Sequence, residues 1–119
     1  MDIVFWIIIA LVVLLFASKV MPVKGVKNIS IEDLKGMLQD KNKQFIDVRT
    51  QGEYQHYHIN SFKNIPLQQL NNQLTQLNPE TETIIICQSG MRSLQAAKRL
   101  KKAGFQQISN VKHGMNAWT

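Results

Sequence analysis

The chain has 119 residues, 14 Lys and Arg against 8 Asp and Glu, a formal net charge of +6 and one cysteine. That length holds one domain plus an appendage and buries a core without metals or cross-links, and a lone cysteine excludes an internal disulfide. The positive balance suits an anionic membrane surface or nucleic acid; no nucleic-acid module or aromatic-interleaved basic motif occurs, which sets the second aside.

The first element in chain order is apolar all round. From Ile3 to Ala17 no residue is charged or strongly polar. As a helix this run covers about 23 Å, against a hydrocarbon core of about 30 Å, and Val20 and Met21 extend it past Lys19, whose stem can snorkel. A secretory signal opens with positive residues and closes on a small-x-small site; here Asp2 precedes the run and Lys19, Lys24 and Lys27 follow it. The reading is an uncleaved transmembrane anchor over 1–21, single-pass in the cell membrane. The lysine bias places the carboxy-terminal domain in the cytoplasm. Trp6 falls near the outer interface. Proline and glycine in Met21-Pro22-Val23-Lys24-Gly25 mark a linker over 22–25, with the domain over 26–119.

Ser30 ahead of Ile31, Glu32 and Asp33 predicts an N-cap with acids in the first turn, and Ile31, Leu34 and Leu38 share a helical face to about Gln39. Gln44–Val48 predicts a short strand. Leu67, Leu70, Leu74 and Leu77 recur at three-four-three spacing and predict an amphipathic helix closed by Asn78-Pro79. Thr83–Ile86 is β-branched without alternation, as in a parallel strand covered on both faces. A helix from about Arg92 to Ala103 buries Leu94, Ala97 and Leu100 and stops at Gly104, and Gln107–Val111 supplies a last strand. Strands alternating with helices indicate an α/β domain with a mostly parallel central sheet. Ligands of such sheets bind at the carboxyl ends of the strands.

Cys87 stands at one of those ends, in Cys87-Gln88-Ser89-Gly90-Met91-Arg92-Ser93, between the buried strand and the next helix. Backbone N–H groups at a helix N-terminus stabilise a thiolate and any anion beside it. The loop amides of Gln88, Ser89, Gly90, Met91 and Arg92 form an expected anion-binding nest. Gly90 permits a tight turn, and Arg92 supplies either fork-shaped donors to the anion or bonds to loop carbonyls. Ser89 and Ser93 carry hydroxyl donors. No metal-ligand spacing or dinucleotide fingerprint is present.

The soluble part resembles the rhodanese-like sulfurtransferases over nearly all of Val26 to Trp118. The resemblance lies in Ile29-Ser30-Ile31-Glu32-Asp33-Leu34, Phe45-Ile46-Asp47-Val48-Arg49-Thr50-Gln51-Gly52-Glu53-Tyr54, His58-Ile59 with Asn64-Ile65-Pro66, the Cys87–Ser93 loop, and Gly114-Met115-Asn116-Ala117-Trp118. It implies a three-layer fold and a Cys87 persulfide that takes sulfane sulfur from thiosulfate or another persulfide. The sulfur then passes to a thiophilic acceptor, a thiol or a protein, with no cofactor or metal. The six-residue loop from Cys87 to Arg92 matches sulfur-handling members; phosphatases and arsenate reductases carry one residue more. Asp47 and Arg49 are expected as supports of the site, with an Arg49–Glu53 ion pair fixing the turn, and His58 as a hydrogen-bonded structural residue.

Two departures accompany the resemblance. Tyr57-His58-Ile59-Asn60-Ser61-Phe62 replaces a glycine-containing stretch, and His113-Gly114 replaces a Gly-Gly pair. Trp118 is expected to close the bottom of the core, and Lys98, Arg99, Lys101 and Lys102 to form a solvated face. The alternative to a membrane-anchored enzyme is a persulfide- or redox-sensing module in which turnover is incidental.

Overall fold

The computed structural model of the protein describes residues 2–20 and 23–119, those at 18–20 by backbone alone. The chain runs α1 (Ile3–Val20), β1 (Val26–Ile29), α2 (Ile31–Lys35), β2 (Lys43–Asp47), α3 (Gln51–His56), β3 (Lys63–Asn64), a 3-10 helix (Leu67–Gln76), β4 (Glu82–Ile86), α4 (Met91–Lys102), β5 (Ile108–Val111) and a closing 3-10 helix (Gly114–Ala117). The five strands form one sheet in the order β1-β5-β4-β2-β3, and every pairing is parallel.

Burial on both faces explains why β4 shows no polar alternation. Ile84 and Ile86 pack with Ile29, Ile31, Leu34, Phe45, Phe62 and Met115 on the face covered by α2 and the closing 3-10 helix. Ile85 and Cys87 turn the other way, to Leu70, Ala96, Ala97 and Leu100 beneath α4 and the longer 3-10 helix. The result is three layers, with β4 flanked by β2 and β5 and its carboxyl end at the centre of one edge.

Ser30 caps α2 as its sequence predicts, its hydroxyl accepting from Asp33 N while the Asp33 carboxylate accepts from Ser30 N. The helix stops at Lys35, short of Gln39, because Gly36 follows and glycine costs about 1 kcal/mol in a helix interior. The leucine-spaced segment is a 3-10 helix, contrary to the expected α-helix. Leu67 and Leu70, then Leu74 and Leu77, are three apart and suit three residues per turn, while Asn71, Asn72 and Thr75 form α-helix weakly. Leu70 and Leu77 are buried there, with Leu67 and Leu74 packed beside them. In α4 the inward face is Ser93, Ala96, Ala97 and Leu100, and Leu94 is only half-buried. Gly104 follows α4 at φ +95°, a left-handed position suited to glycine.

Trp118 is half-buried against the α2-side cluster, and Lys35 Nζ lies 5.5 Å from its ring centroid. It covers an edge of the core, with Met115 nearer the centre. In the basic end of α4, Lys101 and Lys102 are exposed, but Arg99 donates to Leu67 O at 2.9 Å and ties α4 to the 3-10 helix.

α1 contributes almost nothing to this core: its side chains from Ile3 to Phe16 are all exposed. Among the described residues no helix is long and apolar enough to cross a membrane. The expected extension through Lys19, Val20 and Met21, and the linker's start at Pro22, lie outside the described side chains.

Candidate active site

The strand-to-helix turn after β4 places Cys87 with its sulfur wholly buried. Gly90 N–H donates to Sγ at 2.9 Å, across a backbone that reaches φ +103° at Gly90 before α4 begins. The N-terminal amides of a helix lack intrahelical partners and carry the positive end of its dipole. The sulfur therefore sits where negative charge is favoured. Ser93 Oγ is its other polar neighbour, at 3.3 Å.

The loop is held from below by the chain's last turn. Met115 N donates to Cys87 O at 2.8 Å, Asn116 N to Gln88 O at 2.9 Å, and Gln88 Nε2 to Asn116 Oδ1 at 2.7 Å. Gly114 makes this approach, at φ +55°, and an added Cβ would stand 2.1 Å from Cys87 O. His113 before it also takes a left-handed φ, +64°, with a side chain where glycine is easier.

Asp47 and Arg49 lie beside the loop as a buried pair. Arg49 Nη2 donates to Asp47 Oδ2 at 2.9 Å and to Tyr57 O at 2.7 Å, Nε reaches both Asp47 oxygens, and Nη1 donates to Gln88 Oε1 at 3.2 Å. The expected Arg49–Glu53 pair does not form. Two residues along an extended segment bring Asp47 closer, and Glu53 is taken by Arg92 through Nη1–Oε1 at 2.7 Å and Nη2–Oε2 at 2.9 Å. The Arg92 guanidinium holds the Glu53 carboxyl down to about 2. Arg92 thus fastens the loop to α3 instead of bonding loop carbonyls or pointing bare charge at the sulfur. Glu53 also closes the capping box with Thr50, so one carboxylate joins the N-terminus of α3 to that of α4.

His58 Nδ1 meets Tyr54 O at 2.8 Å and its ring stacks on Tyr54 at 3.9 Å, a structural placement away from the sulfur. Ser89 and Met91 are exposed on the rim. Two cavities flank the loop, one of about 330 Å³ lined by Arg49, Tyr57 and Gln88, the other of about 200 Å³ lined by Ser89, Gly90, Met91 and His113. Another, of about 400 Å³, lies at the far end of the sheet by Lys27, Glu82 and Gln107, away from Cys87. Among the described residues no cluster of metal-ligating side chains occurs.

Sequence reasoning missed three contributors. The sequence pairs Glu53 with nearby Arg49 and not with distant Arg92, and nothing in His113-Gly114 discloses the approach of Gly114 to Cys87. Asn110, buried in β5 and donating through Nδ2 to Asn28 Oδ1 at 3.1 Å, accepts a short hydrogen bond from Ser93 Oγ at its Oδ1. Its signal was available: a carboxamide inside a strand buried on both faces needs a polar partner.

The model of the rhodanese-like domain matches residues 30–119, so the chain belongs to the rhodanese-like domain family. It is 39% identical over 96 residues to the putative sulfur carrier protein YrkF of Bacillus subtilis (strain 168), covering 80% of this chain and 52% of that protein. It is 36% identical over 107 residues to thiosulfate sulfurtransferase 18 of Arabidopsis thaliana, covering 78% of each. Among solved structures, a rhodanese-like domain protein from Staphylococcus aureus superposes with a TM-score of 0.72 at 33% identity, covering 78% of this chain and 91% of that one. The chain thus spans about half the length of the sulfur carrier and most of the other two.

Proposed function

We propose that the domain, over 26–119, is a sulfurtransferase working through a Cys87 persulfide. The observation that carries this reading is the Cys87 sulfur at the end of β4, accepting from Gly90 N–H at 2.9 Å at the start of α4. Once its proton has gone to water, the thiolate attacks the outer sulfur of thiosulfate or of a persulfide. A new S–S bond forms, the donor's S–S bond breaks, and the electron pair leaves with sulfite or thiolate. A nucleophilic acceptor, cyanide or a thiolate, then takes the outer sulfur, and the pair returns to Sγ. The two steps balance without an oxidant or cofactor. Loop amides hold the anionic persulfide in this scheme, with Gln88 and Gly90 shaping the nest, Ser89 and Met91 its rim, and Arg92, Asp47 and Arg49 its supports.

Intact mass before and after thiosulfate tests it. The wild type gains one sulfur atom that cyanide or a thiol removes, and Cys87→Ser gains none. A sulfur that neither removes would favour the sensing module, and transfer by Cys87→Ser would refute the chemistry.

We further propose that the apolar segment over 1–21, which runs beyond the described side chains of α1, attaches the chain to the cell membrane as a single pass, with the domain on the cytoplasmic side. The side chains of this all-apolar helix are exposed from Ile3 to Phe16, and helices apolar on every side belong in a protein interior or a bilayer. Lys24 and Lys27 follow it on the inner side. The full chain floats with liposomes through an alkaline wash and loses this on deletion of residues 2–20; a full chain left in the aqueous fraction ends the reading.

A further inference from the structure

Ser93 has one proton and three acceptors around it. Its Oγ lies 3.0 Å from Gly90 O, 3.3 Å from Cys87 Sγ, and in a short bond with Asn110 Oδ1. Gly90 O also receives Leu94 N–H at 3.3 Å, and the bond to Asn110 is the shorter of the two the hydroxyl makes to oxygen, so Asn110 is the sulfur's main competitor. Ser93, Cys87 and Asn110 are all buried, and the sulfur has the Gly90 N–H and the Ser93 hydroxyl within hydrogen-bond reach. The Asn110 amide is oriented by its other end, since Nδ2 donates to Asn28 Oδ1 at 3.1 Å, which turns Oδ1 toward Ser93.

We propose that Asn110, held by Asn28, is a positioning residue that decides where the Ser93 proton rests and so sets the rate at which Cys87 gives up sulfur; the proposal rests on the persulfide reading above. In the thiol form the S–H donates to Ser93 Oγ and the Ser93 proton goes to Asn110. In the persulfide the charge is on the outer sulfur and Sγ is neutral and carries no hydrogen, so the Ser93 proton stays with Asn110 Oδ1. Only when the acceptor takes the outer sulfur does Sγ call for a donor besides the Gly90 N–H. As the S–S bond breaks and the electron pair collects on Sγ, the Ser93 O–H turns from Asn110 Oδ1 to the sulfur. No proton is transferred; one hydrogen bond is exchanged for another. Ser93 therefore assists the leaving thiolate, while the hold of Asn110 opposes the turn.

The test is single-turnover release. Full-length protein in detergent is loaded to completion with thiosulfate, freed of it, mixed rapidly with cyanide, and followed by loss of the extra sulfur in intact mass. Ser93→Ala slows release about ten- to a hundredfold, the worth of a hydrogen bond to a charged group, and Ser93→Thr, which keeps the hydroxyl, recovers most of the rate. Asn110→Leu speeds release about two- to tenfold, as expected for removing one neutral competitor, and has no effect in the Ser93→Ala background, a dependence that a merely structural role would not produce. Asn28→Ala, at an exposed position, moves release the same way by a smaller factor and carries the test if Asn110→Leu does not fold. Wild-type release from Ser93→Ala, slower release from Asn110→Leu or Asn28→Ala, or an Asn110→Leu effect that survives without the hydroxyl each overturns the proposal. If the wild type never loads sulfur, the sulfurtransferase reading itself fails and takes this one with it; normal loading with unaltered Ser93→Ala release removes this one alone.

Discussion

Gly114→Ala is expected to destabilise the domain by roughly 2 to 6 kcal/mol and to remove most sulfur transfer. The added methyl would meet Cys87 O at 2.1 Å and Cys87 C at 2.9 Å, and both are backbone atoms that cannot rotate away. Forcing extra volume into a packed site costs about 1–3 kcal/mol, and a side chain at φ +55° adds about 1–3 more. At about 4–8 °C per kcal/mol for a domain of this size, the melting temperature falls by at least about 8 °C. Relief comes only by separating the last turn from the loop, which breaks Met115 N to Cys87 O and Asn116 N to Gln88 O. The sulfur would then move with its own carbonyl. Gly52→Ala is the control: no atom lies within 4 Å of its added methyl, and stability stays level or rises slightly. Calorimetry on both variants decides it, and a Gly114→Ala melt within a few degrees of wild type would mean that the close approach is not rigid.

Removing the Asp47 carboxylate has the second large effect. Asp47→Ala leaves Arg49, only 3% exposed, as a buried cation without its counter-charge, and breaking a buried pair from one side costs about 3–5 kcal/mol. The damage reaches the loop, because Arg49 also holds Gln88 Oε1 and Tyr57 O. Asp47→Leu with Arg49→Met recovers much of the loss, since replacing both charges with apolar groups of similar volume is often close to neutral. Urea titration of the single and double variants gives the comparison. A single variant within about 1 kcal/mol of wild type would show that Arg49 finds its compensation elsewhere.

What could be read from sequence followed what burial writes into it. β4 was legible because both its faces are covered, and α2 and α4 because a cap residue and a small-residue face announce them. α3 left no apolar period to detect, since none of its six residues is buried, and only the Thr50-Gln51-Gly52-Glu53 capping box marks its start. β3 has two residues, and β1 carries exposed Lys27 and Asn28 through its middle. At the site, Cys87 and its loop stood out as a contiguous string ahead of a helix. The ion pairs did not, because a list of acids and bases does not say which meet. Glu53 offered itself equally to Arg49 in the same segment and to Arg92 in another, and only the fold, by setting α3 against the start of α4, awards it to Arg92.

The uniform direction of the strands also fixes a polarity. The chain enters the sheet at Val26, whose partner Ile108 stands level with Thr83, and from there β4 climbs to Cys87 over about 13 Å at 3.3 Å per residue. The tail and the sulfur are therefore mounted at opposite poles. Anything that grips α1 holds the domain by its foot and leaves the edge that carries Cys87 on the far side.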